Sequence, residues 1–141
     1  MDEFNKDYIE GDFFPDTYFY SRDTKRSEIL EIMSIRAKYI MHKAFSEVKN
    51  KNKIKLSNEE IKIMASLIEA ESKIKVEKKK IASVFFNRIK LGMKLQSDPT
   101  IIYGINKSVY MNRKITKQDI LLDHPWNTYK INGFLLHLFV M

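Results

Sequence analysis

The sequence contains no cysteine, which excludes disulfides and thiolate metal sites and leaves the redox compartment open. No run approaches the roughly 18 apolar residues that a membrane span needs, and the closing "GFLLHLFVM" is too short to cross a bilayer. The opening "MDEFNKDYIEGD" is acidic and has neither the basic flank nor the apolar stretch of a signal peptide. As written, the chain is expected to stay in the cytoplasm where it is made. There is no glycine-rich phosphate loop, no G-x-S-x-G elbow and no pyridoxal motif, so no cofactor is expected. The three histidines, His42, His124 and His137, have no metal-ligand spacing, and no metal is expected.

What is present suffices to fold. A chain of 141 residues can bury one core, and 44% hydrophobic with 12% aromatic residues places it outside the disordered class. Lysine and arginine outnumber acids 25 to 18, an excess that would suit nucleic acid, an acidic membrane surface or an acidic polymer. The spread of Lys, Ile and Asn along the whole chain argues instead for coding bias. No RNP motif or helix-turn-helix supports a nucleic-acid partner.

The pattern predicts an α+β, helix-rich chain without repeats or an evident domain boundary. Residues 9–20, "IEGDFFPDTYFY", read as a strand or extended segment with a turn at Pro15 and Asp16. From Ser27 to about Asn50 the period becomes helical, with Ile29, Met33, Arg36, Ile40, Ala44 and Val48 near one face. The lysine-rich 49–56 reads as a solvated linker. Ser57 and Glu60 form a capping-box pattern that opens a second helix. A third spans about 76–91, with Ile81, Val84, Phe85 and Ile89 in register and Gly92 as its stop. Residues 97–104 predict a short helical turn with Asp98 as N-cap, Pro99 first in the helix and Gly104 at the end. Another short helix is expected from Thr116, with Asp119 three residues on.

The second helix carries "MASLIEAES" at 64–72. At about 100° per residue, Ile61, Met64, Ala65 and Ile68 share an arc. Glu71 projects into that arc and Glu69 falls at its edge, beside Lys62 and Ser66. Spacing directs one carboxylate toward the core and sets the other at a boundary, where it is either a solvated surface residue or within reach of a ligand.

Four segments occur together: "EGDFFPDTYFY" (10–20), "ASLIEAES" (65–72), "IASVFFNRIKLGMKLQSDPTIIYG" (81–104) and "WNTYKING" (126–133). In order and spacing they closely resemble the endolytic murein transglycosylases, the MltG or YceG-like family. The resemblance covers about residues 10–133. In that family the glutamate after Ala-Ser-apolar-apolar is the catalytic acid, and Glu69 occupies its position.

The resemblance implies cleavage of the MurNAc–GlcNAc bond of peptidoglycan glycan strands without water, leaving a 1,6-anhydro sugar. One carboxyl can act as acid and then base, so no second carboxylate is required as in most glycosidases. The carboxyl must be protonated as substrate binds, and a border of Ala65 and Ile68 would favour the neutral form by desolvation. Glu71 is then expected to anchor its helix through hydrogen bonds. Gln96, Ser97, Asp98, Tyr103, Asn127 and Tyr129 are candidate sugar contacts, with Gln96 and Asn127 foremost because amides suit N-acetyl sugars. Each has a structural alternative: Asp98 as a cap, the tyrosines as core, and Asn87 and Arg88 as pins for the third helix.

The family is longer, anchored in the inner membrane with its catalytic part outside the cytoplasm, and associated with cell-wall synthesis machinery. Residues 1–133 are therefore expected to be part of a catalytic domain. Residues 134–141 depart from the family's Leu-Pro-Pro-x-Pro-Ile continuation. Restoring one nucleotide to their codons permits Leu-Pro-Pro-Thr-Pro-Ile-Cys-Asn, so a frameshifted tail is expected. The rivals to an active enzyme are an inert remnant of one and a small basic nucleic-acid-binding protein.

Overall fold

The computed structural model describes residues 8, 11–51, 56–108 and 110–132. The expected divergent tail at 134–141, and His137 within it, lie outside the described residues. So do Ile9 and Glu10 at the start of the expected extended segment. The chain divides into two compact units, Met1–Lys53 and Ile54–Met141. The division falls inside the lysine-rich stretch, where the sequence pattern shows a solvated linker but no evident domain boundary.

The first unit is built on α1 (Arg26–Lys51). Ser21 and Thr24 close the turn before it, with Ser21 N–H donating to Thr24 Oγ1 at 3.1 Å. Residues 11–20 run beside the helix in irregular extended form, Phe14 N–H reaching Met33 O at 3.4 Å. Among the described residues no strand forms, so the expected strand in this segment is a lone extended piece without a pairing partner. The buried positions of α1 are Ser34 and Ala37, flanked by half-buried Leu30, Met33, Met41 and Phe45. Of the face expected from the spacing, Ile29, Met33, Ile40 and Val48 are half-buried; Ala44 is exposed, and so is Arg36, which lies 3.8 Å from Asp16 because its charge is better solvated at the boundary than packed.

The second unit holds α2 (Asn58–Glu71), α3 (Lys75–Lys90), α4 (Asp98–Asn106) and α5 (Lys117–Leu121). The capping box at α2 is complete: Ser57 N–H donates to Glu60 Oε2 at 2.7 Å and Glu60 N–H to Ser57 Oγ at 3.1 Å. Two donors that the helix leaves unpaired are thereby satisfied. α2 packs against both α3 and α4. Its apolar stripe supplies Ile63, Met64 and Leu67 to a core closed by Phe85, Leu95 and Tyr103, with Ile81, Ile89 and Trp126 around it. Ala65, expected on the same arc, is exposed.

α4 departs from its expected limits. Ser97, not Asp98, is its N-cap, and the helix continues past Gly104 to Asn106, ending where Lys107 takes a left-handed φ of 56°. Gly104 is needed for a different reason. A Cβ there would lie 2.1 Å from His124 Cε1, so the missing side chain is what lets the imidazole lie against the helix backbone. At α5, Thr116 and Asp119 form the second capping box, and Arg113 grips the same carboxylate through Nη1 at 2.5 Å and Nη2 at 2.8 Å. This fork and the Thr116 donors hold the Asp119 carboxyl well below its usual range.

Candidate functional site

The two glutamates of α2 end up in different surroundings. Glu69 lies on the last turn with its side chain 61% exposed, ion-paired to Lys78 of α3. Of the two residues expected to border it, Ala65 is exposed and Ile68 half-buried. Glu71 closes the helix, and its Oε1 accepts from the Ser97 hydroxyl at 2.5 Å. It does not point into the core as expected; it is exposed and forms one wall of a cavity of about 300 Å³.

That cavity runs along α3. Ile81, Val84 and Phe85 make its apolar floor, Lys80 and Arg88 bring positive charge, and Gln96 lies opposite. Gln96 has φ 53°, a left-handed conformation that is uncommon without glycine. Its N–H donates to Thr128 O at 3.1 Å, which holds the backbone there. Arg88 is fixed from behind by donating through Nη1 to Leu95 O.

Of the candidate sugar contacts, the structure brings Gln96, Ser97, Asp98 and Tyr129 together near Glu71. Ser97 is fully buried and is tied on its backbone side by Thr128 Oγ1 at 2.9 Å. Tyr129 donates its hydroxyl to Asp98 Oδ1 at 2.5 Å. Burial and then this carboxylate push the phenol up to about 12. Asp98 thus serves Tyr129 and not the helix cap.

Two candidates are placed elsewhere. Asn127, expected as a leading sugar contact, is 0% exposed. Its Nδ2 donates to Ile120 O at 2.9 Å and Leu122 O at 2.6 Å, and its Oδ1 accepts from Tyr129 N–H at 3.0 Å. The amide is spent on backbone groups and faces no solvent. Tyr103 is core, 8% exposed, with its ring edge-on to Trp126 at 5.8 Å. Asn87 is exposed near the end of α3, and its carbonyl accepts from Leu91 N–H at 3.0 Å.

The sequence reading missed Lys78 and Lys80. Both sit in a lysine-rich start to α3 that reads as a solvated face, and only the position of α2 distinguishes them from their neighbours. Among the described residues no group of three or more His, Asp or Glu is arranged to hold a metal ion. No described helix is long and apolar enough to cross a membrane.

Helix-rich architecture with a glutamate-bearing α2 packed between α3 and α4 matches a known class. The chain matches the YceG-like family over residues 1–135 and belongs to it. It is 40% identical over 136 residues to a Bacillus subtilis protein named endolytic murein transglycosylase, covering 94% of this chain and 36% of that protein. A protein of the same name from Streptococcus pneumoniae is 32% identical, with 90% and 23% covered. The crystal structure of a YceG-like protein from Listeria monocytogenes superposes with a TM-score of 0.70 at 35% identity, over 89% of this chain and 40% of that one. The chain thus spans about a quarter to two-fifths of the length of these relatives.

Proposed function

We propose that this chain carries the acid-bearing part of a lytic transglycosylase that cuts peptidoglycan glycan strands at the MurNAc–GlcNAc bond. The observation that carries the reading is the 40% identity to an endolytic murein transglycosylase across 94% of the chain. Glu69 is the acid. Its exposure on the last turn of α2 leaves it open to a polymer. The protonated carboxyl gives its proton to the glycosidic oxygen as the C1–O bond breaks. The carboxylate then takes the proton of the C6 hydroxyl, which closes on C1 to form the 1,6-anhydro ring. The first step needs a neutral carboxyl, so it dissolves the ion pair with Lys78.

Gln96, Asp98 and Tyr129 stay in this reading as the polar surface near the end of α2, with buried Ser97 holding Glu71 from behind. Residues 1–133 form part of the catalytic domain. The α+β architecture requires sheet partners for the extended pieces from the longer family fold. Anchoring in the membrane with the catalytic part outside the cytoplasm, and contact with cell-wall synthesis machinery, belong to the same proposal for the whole protein. The test is muropeptide release: purified chain incubated with peptidoglycan should yield anhydro-muropeptides, and Glu69→Gln should abolish them. No release from the chain, with release from the longer family protein, would favour the inert remnant.

A further inference from the structure

We infer that the cavity along α3 binds the peptide stem of the murein strand, a short acidic peptide rich in alanine; this rests on the transglycosylase reading above. Three chemistries meet in the cavity. Lys80 and Arg88 outnumber the single carboxylate of Glu71, so the site favours an anionic guest such as the free carboxylate of a γ-linked D-glutamate. Arg88 presents a planar fork suited to carboxylates, and its bond to Leu95 O fixes it in place. Ile81, Val84 and Phe85 provide an apolar floor for methyl groups of the size alanine carries. Ser97 occupies one oxygen of Glu71 and leaves the other to accept from the amine of a diamino acid. A guest with spaced carboxylate, methyl and amine groups matches this set, whereas an uncharged sugar would leave both cations unused.

Position supports the same occupant. Glu69 and Glu71 lie on one helix end, and a helix with its side chains is about 10–12 Å across. The four residues of an extended stem reach about 13–14 Å, more than that width. A sugar whose glycosidic bond lies at Glu69 can therefore lay its own stem in the cavity beside Glu71. The left-handed backbone of Gln96 at the cavity wall is the kind of strained conformation that gathers at ligand sites.

The experiment titrates the protein with N-acetylated L-Ala–γ-D-Glu–diamino acid–D-Ala peptide and, separately, with a GlcNAc oligomer, which carries no carboxylate, following amide resonances by NMR. The peptide should bind, shift signals of α3 and Gln96, and weaken as salt rises. Lys80→Met and Val84→Glu, both at exposed helix positions, should each lower peptide affinity at least about 10-fold while the helical signal is kept; Val84→Glu introduces charge repulsion without touching Arg88. Absence of peptide binding, or binding unchanged in both variants, overturns the proposal. Cleavage of stripped and peptide-bearing strands at equal efficiency also overturns it and leaves the transglycosylase reading standing. Peptide bound in the cavity by a protein that cleaves neither strand keeps the acidic-peptide site and removes the transglycosylase.

Discussion

The Ser97 hydroxyl donates to Glu71 Oε1 at 2.5 Å, joining the last residue of α2 to the residue that caps α4. The bond connects two elements of the core to one wall of the cavity. A hydrogen bond to a charged group contributes about 1.5–3 kcal/mol. Ser97→Ala should lower the unfolding free energy by an amount in that range, with a matching drop in melting temperature, and Glu71→Gln by less, because the amide oxygen still accepts. Equal melting temperatures for wild type and Ser97→Ala in thermal denaturation would show that the bond holds nothing together.

Glu69→Gln should behave in the opposite way. Its pair with Lys78 is exposed on the carboxylate side, and such pairs contribute less than about 1 kcal/mol. Stability should barely change, while anhydro-muropeptide release from an active protein falls to background. Release that survives the substitution would move the acid elsewhere.

Asn127→Ala should destabilise strongly without any effect specific to sugar binding. The change strips partners from Ile120 O, Leu122 O and Tyr129 N–H, and a buried group left unpaired costs about 1–3 kcal/mol. Urea denaturation measures the loss. A variant of full stability that binds strands more weakly would restore the sugar-contact role.

Gly104→Ala should also destabilise, by about 1–3 kcal/mol for an overpacked contact, since the new methyl meets the His124 ring at 2.1 Å. The remedy is specific. His124→Ala in the same chain removes the obstacle, so the double variant should be less impaired than the sum of the single ones. Strict additivity would indicate that the two residues do not touch.

Two titrations bracket the pH range. Burial, then Lys107, holds the His124 imidazole below its ordinary 6.5; the unfolded chain therefore binds a proton that the folded one refuses. The corresponding stability is present above about pH 6.5 and lost as pH falls through the folded value. His124→Asn should flatten the melting temperature between pH 7.5 and 5.5; an unchanged slope would assign the effect to another group. At the alkaline end, Tyr129 at about 12 contributes stability present below about pH 10 and lost as pH rises through 12. Phenolate absorbance should show one tyrosine ionising late, and Tyr129→Phe should remove that phase.

Local signals in the sequence were read well where their partners were also local. Ser57 with Glu60, and Thr116 with Asp119, are three residues apart, and each became a capping box. Asp98 looked like a cap by the same logic, but Tyr129, 31 residues away, took its carboxylate. Gly104 looked like a helix stop because glycine usually is one; its reason is an imidazole 20 positions on, which no local pattern reveals. Asn127 was drawn toward sugars by its amide chemistry, yet the carbonyls that consume it appear only once α5 and the following loop are folded. Helical rotation directs Glu71 to the core, yet both glutamates are exposed, because α2 ends at Glu71, where Ser97 meets its carboxylate; the cavity beside it depends on how α3 packs.

The chain has one tryptophan, and Trp126 lies with Lys107 Nζ 3.2 Å from its ring centroid and Tyr103 edge-on. Its emission therefore comes from one spot, where α4 meets the 124–129 loop. An ammonium over the indole face and a neighbouring phenol dim and shift that light, and unfolding of the second unit removes both. Tryptophan emission, excited where the tyrosines of the first unit do not absorb, is thus a built-in gauge of the second unit, and a comparison with far-ultraviolet dichroism would show whether the two units melt together or in sequence.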